Sequence, residues 1–235
     1  MKSKIYIIFD CYKTLIFKKN LEETISQFAC KEFNKNVSVK SVQKALDIVY
    51  DKHKFIHPQF NSKEEREKYY ILYNKELLEI LGLKSLDGQA QALNKKIDTC
   101  AKYAIYEDVL ETLQYFHNEK ILLGILANWT AGLEKILQET GILKYFDIVR
   151  SSSQSRYAKP DPKFFEELLH GMIGNYGNIY YVGDDYELDI IPARLAGLIP
   201  VLVDRQLSHP GVNDCIKVKS LTDLKNIIKI KVKEK

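Results

Sequence analysis

Four residues that lie far apart in the chain combine reactive side chains with telling surroundings. Asp10 in "FDCYKTL" follows the apolar run "IYII", Asn128 follows "ILLGILA", Asp184 follows "IYYVG" within "GDDYELD", and Lys159 stands in "AKPDP". If the apolar runs are strands of one parallel sheet, their ends share an edge, and ligands bind in the crevice outside that edge. Asp10, Asn128 and Asp184 then converge, and the same segment brings Asp185 and Asp189 close to them. Carboxylates so crowded either take up a proton or share a cation. An all-oxygen set of this kind favours Mg²⁺, and phosphate chemistry follows from it. Lys159 lies in a loop before a helix opened by Pro160 to Pro162, where it can neutralise a nucleophilic carboxylate and a bound phosphate. Taken singly, each is commonplace: an Asp after a strand is commonly a turn or helix cap, and a lone loop lysine is usually solvated. Their order and spacing together make the site.

The elements needed to position these residues can be read from pattern. "IYIIF", "ILLGILA", "FDIV", "IYYVG" and "IPVLV" are continuous β-rich runs that suit strands buried on both faces. Between them lie helical patterns: "EDVLETLQYFHNEK", "AGLEKILQETG" with Gly141 as C-terminal cap, "DPKFFEELLHG" and "LDIIPARLAG". The alternation predicts an α/β fold built on a doubly wound parallel sheet. Between the first run and "ILLGILA" lie about a hundred residues without a strand pattern, far more than one crossover helix needs. "LEETISQFACKEF", "SVKSVQKALDIVYDKHKF", "SKEEREKYYILYNKELLEILG" and "QAQALNKKIDTCAKY" carry helical spacing there, and Ser62 with Glu65 forms a capping-box pattern. The reading is a helical insert over residues 17–101, with the α/β core formed by residues 1–16 and 102–235.

Composition narrows the classes. The 235 residues include 35 Lys and Arg against 31 acids, a net charge of +4, with the cations dispersed over helix-like segments. Only "KNIIKIKVKEK" concentrates basic residues, so nucleic-acid binding is not expected. Cys11, Cys30, Cys100 and Cys215 make no C-x-x-C pair, which predicts neither zinc site nor disulfide framework and fits a cytoplasmic protein. No run approaches the ~18 apolar residues of a membrane span, and "MKSKIYIIFD" meets an Asp too soon for a secretion signal.

At these residues the sequence resembles the haloacid dehalogenase (HAD) superfamily of hydrolases, in the subgroup with a helical cap inserted after the first motif. "DCYKT" partly matches the first motif, "GILAN" the second, Lys159 of "KPDP" the third and "GDDYELD" the fourth. The resemblance implies a Rossmann-like core in which Asp10 is the nucleophile, forming an aspartyl intermediate. It implies Mg²⁺ held by Asp10, Asp184 and the carbonyl of Tyr12, with Asp189 orienting Lys159 or a metal-bound water. By the same token Thr14 steadies the loop at the substrate, Asn128 contacts the transferred group, and Lys159 balances charge. The substrate class implied is a small phosphorylated molecule, handled by a monomer or homodimer.

Three departures qualify that expectation. Tyr12 replaces the Asp that phosphatases of the family place two residues after the nucleophile, and a phenol, with an ordinary pKa of about 10, is a poor base at neutral pH. Ala127 replaces a hydroxyl residue, and Lys13 replaces a glycine. A Tyr at position 12 is what 2-haloacid dehalogenases of the superfamily carry, but those enzymes have Ser and Asn in the fourth motif where this chain keeps acids. Non-catalytic binding of a phosphorylated ligand or a partner is the third reading. Elsewhere, His53 and His57 stand one helical turn apart without a third ligand, Trp129 is set to stack on a ligand or pack, and Tyr69, Tyr70 and Tyr73 suggest packing.

Overall fold

The structure, a computed structural model, describes residues 4–56, 63–172 and 176–233. Its strands are β1 (Lys4–Phe9), β2 (Ile16–Lys19), β3 (Lys102–Ile105), β4 (Leu122–Ala127), β5 (Ile148–Ser151), β6 (Tyr176–Gly183), β7 (Ile199–Val203) and β8 (Ile216–Val218). Six of them form a sheet in the order β5-β4-β1-β6-β7-β8, parallel at every pairing. β1 lies in the middle because it has no polar face to offer water: Ile5, Ile7, Ile8 and Phe9 are all buried. Full burial of each such side chain contributes roughly 1.5–3 kcal/mol. From β1 the chain builds outward through β4 and β5, then returns to the other flank for β6, β7 and β8. The direction of winding therefore reverses between β1 and β6, and the switch point opens beside those two strands.

Two compact units make up the chain, Lys18–Ala104 and Met1–Phe17 with Ile105–Lys235. Among its described residues the first holds four helices, α1 (Leu21–Phe33), α2 (Val39–His53), α3 (Lys63–Ile80) and α4 (Asp87–Cys100). Their apolar stripes recur at helical spacing, as with Ile25, Phe28 and Ala29 on α1 and Val42, Ala45 and Val49 on α2, and they join Leu77, Leu78, Leu93 and Ile97 in one core. Ser38 caps α2 by accepting from Ser41 N–H at 3.1 Å. The second unit carries α5 (Val109–Asn118), α6 (Leu133–Glu139), α7 (Pro162–Gly171), α8 (Ile191–Leu195) and α9 (Leu221–Lys233). Past the end of α6, Gly141 adopts a φ of 75°, the left-handed turn expected of it. Asp161 caps α7, accepting from Lys163 N–H at 2.9 Å. Among the described residues no helix is long and apolar enough to cross a membrane.

The sequence reading differs from this structure in three places. β2 and β3 pair with each other as a two-stranded ribbon, where no strand pattern was read. Their sequences, IFKK and KYAI, are too short and too lysine-rich to form an apolar run. β8, of three residues, escaped for the same reason. The expected helix "LDIIPARLAG" is divided: a π-helical turn over Tyr186–Ile190 precedes the short α8. Ser62 of the capping-box pattern and His57 lie outside the described residues.

Candidate active site

The site begins where the β1 ladder continues one residue past its strand. Asp10 N–H donates to the Val182 carbonyl at 2.8 Å, which fixes the backbone of Asp10 against β6. A tight turn follows, with Leu15 and Ile16 N–H both donating to the Cys11 carbonyl at 2.9 and 3.0 Å, and Lys13 N–H to the Ile16 carbonyl at 2.7 Å. Lys13 holds a φ of 65° there. A side chain in that left-handed region costs roughly 1–2 kcal/mol relative to ordinary helical backbone, so the turn is kept against a local preference. It carries the hydroxyl of buried Thr14 to Asp184, donating to Oδ1 at 3.3 Å. Tyr12, half-buried, stands within the turn and bridges by backbone to Ile16.

β6 ends at Gly183, and only glycine fits. A Cβ added at Gly183 would meet the Cγ and Oδ2 of Asp189 at 2.3 Å. The π-helical turn folds Asp189 back against the strand end in this way. Asp185 opens the turn, its Oδ1 accepting from Glu187 and Leu188 N–H at 2.9 Å each. Asp185 N–H in turn donates to Asp189 Oδ2 at 3.0 Å.

Lys159 joins the two carboxylates. Its ammonium donates to Asp10 Oδ1 and to Asp189 Oδ1, at 2.6 Å in both cases, and its side chain is 3% exposed. Asn128 grips the loop of Lys159: its Nδ2 donates to the Lys159 carbonyl at 2.9 Å, and its Oδ1 accepts from Lys159 N–H at 2.8 Å. The end of β4 thereby holds the lysine's main chain. Oxygens of Asp10, Asp184 and Asp189 all lie within 4.8 Å of one another.

Charge is unbalanced at this cluster. Three carboxylates surround one bridging ammonium, a formal surplus of two negative charges. Burial, then Asp10 and Asp189, push Asp184 well above the usual carboxylate range, although the side chain keeps some surface open to solvent. Lys13 acts in the opposite sense on Asp184. Burial also raises Asp189, to about 6, against the pull of Lys159. Lys159 itself, which burial alone would lower, is held well above its ordinary value by Asp10 and Asp189. Cys11, beside the nucleophile candidate, has its thiol pushed well up by burial and by Asp10, so it stays a neutral packing group.

A divalent cation fits this donor set. Both oxygens of Asp189 already accept hydrogen bonds, Oδ1 from Lys159 and Oδ2 from Asp185 N–H. That leaves Asp10 and Asp184 to offer hard oxygen ligands of the kind Mg²⁺ takes one or two at a time.

The other singled-out residues have structural surroundings. His53 Nε2 donates to Glu76 at 2.8 Å, and its Nδ1 accepts from Tyr69 at 3.2 Å. Burial raises the Tyr69 phenol to about 12, so it keeps its proton. The backbone of Trp129 is tied to Ser152 and Ser153. Sequence reasoning missed Tyr181, hidden in an apolar strand, and Arg205, whose partner Asp108 is far away in the chain.

A parallel sheet with a carboxylate after each strand of its switch point, and a lysine bridging carboxylates below, defines a Rossmann-like catalytic core. The chain belongs to the haloacid dehalogenase-like hydrolase family, which it matches over residues 6–197. It is 30% identical over 128 residues to haloacid dehalogenase-like hydrolase domain-containing protein 3 of Bos taurus, covering 54% of this chain and 51% of that one. It is 30% identical over 126 residues to phosphoserine phosphatase of Thermus thermophilus, covering 52% and 51%. The chain thus spans about half the length of these curated relatives. Among solved structures, the HAD-hydrolase YfnB from Bacillus subtilis bound to magnesium is similar with a TM-score of 0.75 and 14% identity, over 97% of this chain and 100% of that one. L-2-haloacid dehalogenase RSc1362 is similar with a TM-score of 0.73 and 19% identity, again over 97% and 100%. Structural likeness at such identities shows the fold alone.

Proposed function

We propose that the protein is a slow, selective Mg²⁺-dependent phosphatase or phosphotransferase acting on a small phosphorylated molecule through an aspartyl-phosphate on Asp10. The observation that carries the reading is the lysine bridge: Lys159 holds Asp10 Oδ1 and Asp189 Oδ1 at 2.6 Å each, beside a third carboxylate, Asp184. An oxygen of Asp10 attacks phosphorus, the bond to the leaving oxygen breaks, and that oxygen takes its proton from water. A second water then attacks phosphorus, the bond to Asp10 breaks, and inorganic phosphate leaves. Lys159 orients Asp10 through the contact at Oδ1, and it faces the negative charge that gathers on the transferred group. Asp10, Asp184 and the Tyr12 carbonyl would hold the metal. When bound, Mg²⁺ would neutralise the surplus of carboxylate charge and that of the phosphoryl oxygens.

Tyr12 explains the expected slowness. A missing acid-base group typically lowers a rate by 10²- to 10⁴-fold, and hydrolysis of the aspartyl-phosphate needs such a base most. The relative named for phosphoserine supports phosphatase chemistry. We assign residues 17–101 of the sequence reading, or Lys18–Ala104 as the compact unit falls, the part of a cap that selects substrate.

Tyr12 is also the one observation that favours a second reading, 2-haloacid dehalogenation. Asp184 and Asp189 oppose it, because carboxylates at that edge repel an anionic substrate unless a cation is shared. Phosphate release from a panel of phosphomonoesters, with and without Mg²⁺, separates the two. The expected result is release that needs both Mg²⁺ and Asp10, absent in Asp10→Asn. Halide release from 2-haloacids without metal, and none of phosphate, would replace this reading with the second.

A further inference from the structure

Tyr181 lies on β6 two residues before Gly183, in register with Ile8 of β1, which in turn aligns with Gly124 of β4. Its ring is fully buried, packed edge-on against Phe165 of α7 at 4.8 Å between centroids. Its hydroxyl, however, leaves that apolar layer for the polar one. It lies 2.9 Å from the Leu126 carbonyl, near the end of β4, and 3.2 Å from Asp189 Oδ1, the same oxygen that Lys159 grips. The Lys159 ammonium stands 5.8 Å from the centre of the Tyr181 ring.

The phenol has one proton and two acceptors. Its proton can turn from the Leu126 carbonyl to Asp189 with no heavy atom moving. In the resting site Lys159 divides its hydrogen bonds between Asp10 and Asp189. Once a phosphoryl group stands on Asp10, the ammonium has a third anionic claimant, and Asp189 loses part of its neutralisation. A buried carboxylate deprived of a donor is destabilised unless another donor takes its place. Tyr181 is the neighbouring donor within reach of that oxygen.

We infer that Tyr181 is a positioning residue of the reaction: its phenol steadies Asp189, and through Asp189 the ammonium of Lys159, while charge moves onto the transferred group. This rests on the reading of Asp10 as nucleophile. Tyr181 touches no reacting atom, so its effect belongs to turnover and not to substrate capture.

Tyr181→Phe removes only the hydroxyl. Tyr180→Phe is the matched control, a buried tyrosine one residue earlier whose side chain faces the other side of the sheet. With the best phosphomonoester found, Tyr181→Phe should lower kcat about tenfold, the loss of one hydrogen bond to a charged group, and leave KM unchanged. Tyr180→Phe should change neither by more than about twofold. Unfolding by urea supplies a readout that needs no substrate: the midpoint shifts of Tyr181→Phe and Asp189→Asn should fall short of additivity in the double variant. If Asp189→Asn does not fold, a crystal structure of Tyr181→Phe takes its place, with the Lys159–Asp189 contact expected to lengthen. Equal kinetics for the two tyrosine variants, strictly additive midpoints or an unaltered contact would each overturn the inference. Failure of the wild-type chain to turn over any phosphomonoester would instead overturn the phosphatase reading, and coupled midpoints would then leave Tyr181 as the residue that sets Asp189 in a site of other chemistry.

Discussion

Two cations in the α/β unit, one buried and one half-buried, make an instructive pair. Lys159 is shared between two carboxylates with a third nearby, so its surroundings remain negative. Arg205 meets a single carboxylate, Asp108, by two hydrogen bonds of 2.9 and 3.0 Å, and also donates to the Thr14 carbonyl at 3.0 Å. Its guanidinium lies 4.0 Å over the ring of Tyr106, and Asp108 accepts in addition from Leu221 N–H at 2.7 Å. The arginine pair is balanced in charge and fixed in plane, as a structural tie should be. The lysine cluster is neither. A compact ammonium among surplus carboxylates is an arrangement that a binding partner would complete, so the imbalance, more than the burial, is what sets the proposed site apart.

The sharpest way to break the contrast is Lys159→Met. It leaves Asp10 and Asp189 buried without their shared partner, and stability should fall by about 3–5 kcal/mol in urea titration, with turnover lost. Retention of most stability would show that the carboxylates share a proton well enough to do without the lysine. Arg205→Lys keeps the charge but loses the two-pronged contact and the stacking. A smaller loss is expected, about 1–2 kcal/mol, with kcat and KM close to wild type. A large kinetic effect would mean that Arg205, through Thr14, belongs to the site.

The gentlest probe is pH. Folding raises Asp189 to about 6 and Asp184 also upward, so between about pH 4 and those values the folded chain binds more protons than the unfolded one. Stability contributed by these groups is therefore fully present only below about pH 4 and is lost as pH rises from there through the folded values, about 6 for Asp189. Mg²⁺ should restore it at pH 7.5, by about 1 kcal/mol at several times its dissociation constant, and do little at pH 5. Thermal melts of Asp184→Asn should lose this metal response. An equal response in that variant would place the cation elsewhere.

Much of this was legible beforehand because strand ends are simple to find. Asp10 and Asp184 follow apolar runs, and a parallel sheet leaves such residues only one edge to occupy. The positions in the site were accessible for that reason, and the family resemblance added the pairing of Asp189 with Lys159, which the structure contains. The hold of Asn128 on the main chain of Lys159 followed from neither, since hydrogen-bond partners are set by turns of a few degrees. Tyr181 was invisible for a related cause: in a strand of apolar residues a tyrosine reads as packing, and only the fold shows where its hydroxyl emerges. Arg205 and Asp108 are separated by 97 positions, and no local pattern joins them. The short strands β2 and β3 were hidden because their pairing comes from each other and not from an apolar sequence of their own.

That ribbon has an engineering consequence. The chain leaves for the helical unit along β2 and comes back along β3, and paired strands lie only about 4.8 Å apart. The segment between them therefore begins and ends on neighbouring strands. A short turn joining the strands should allow it to be excised, or a unit from another family member to be grafted in its place, while the sheet keeps its own wiring.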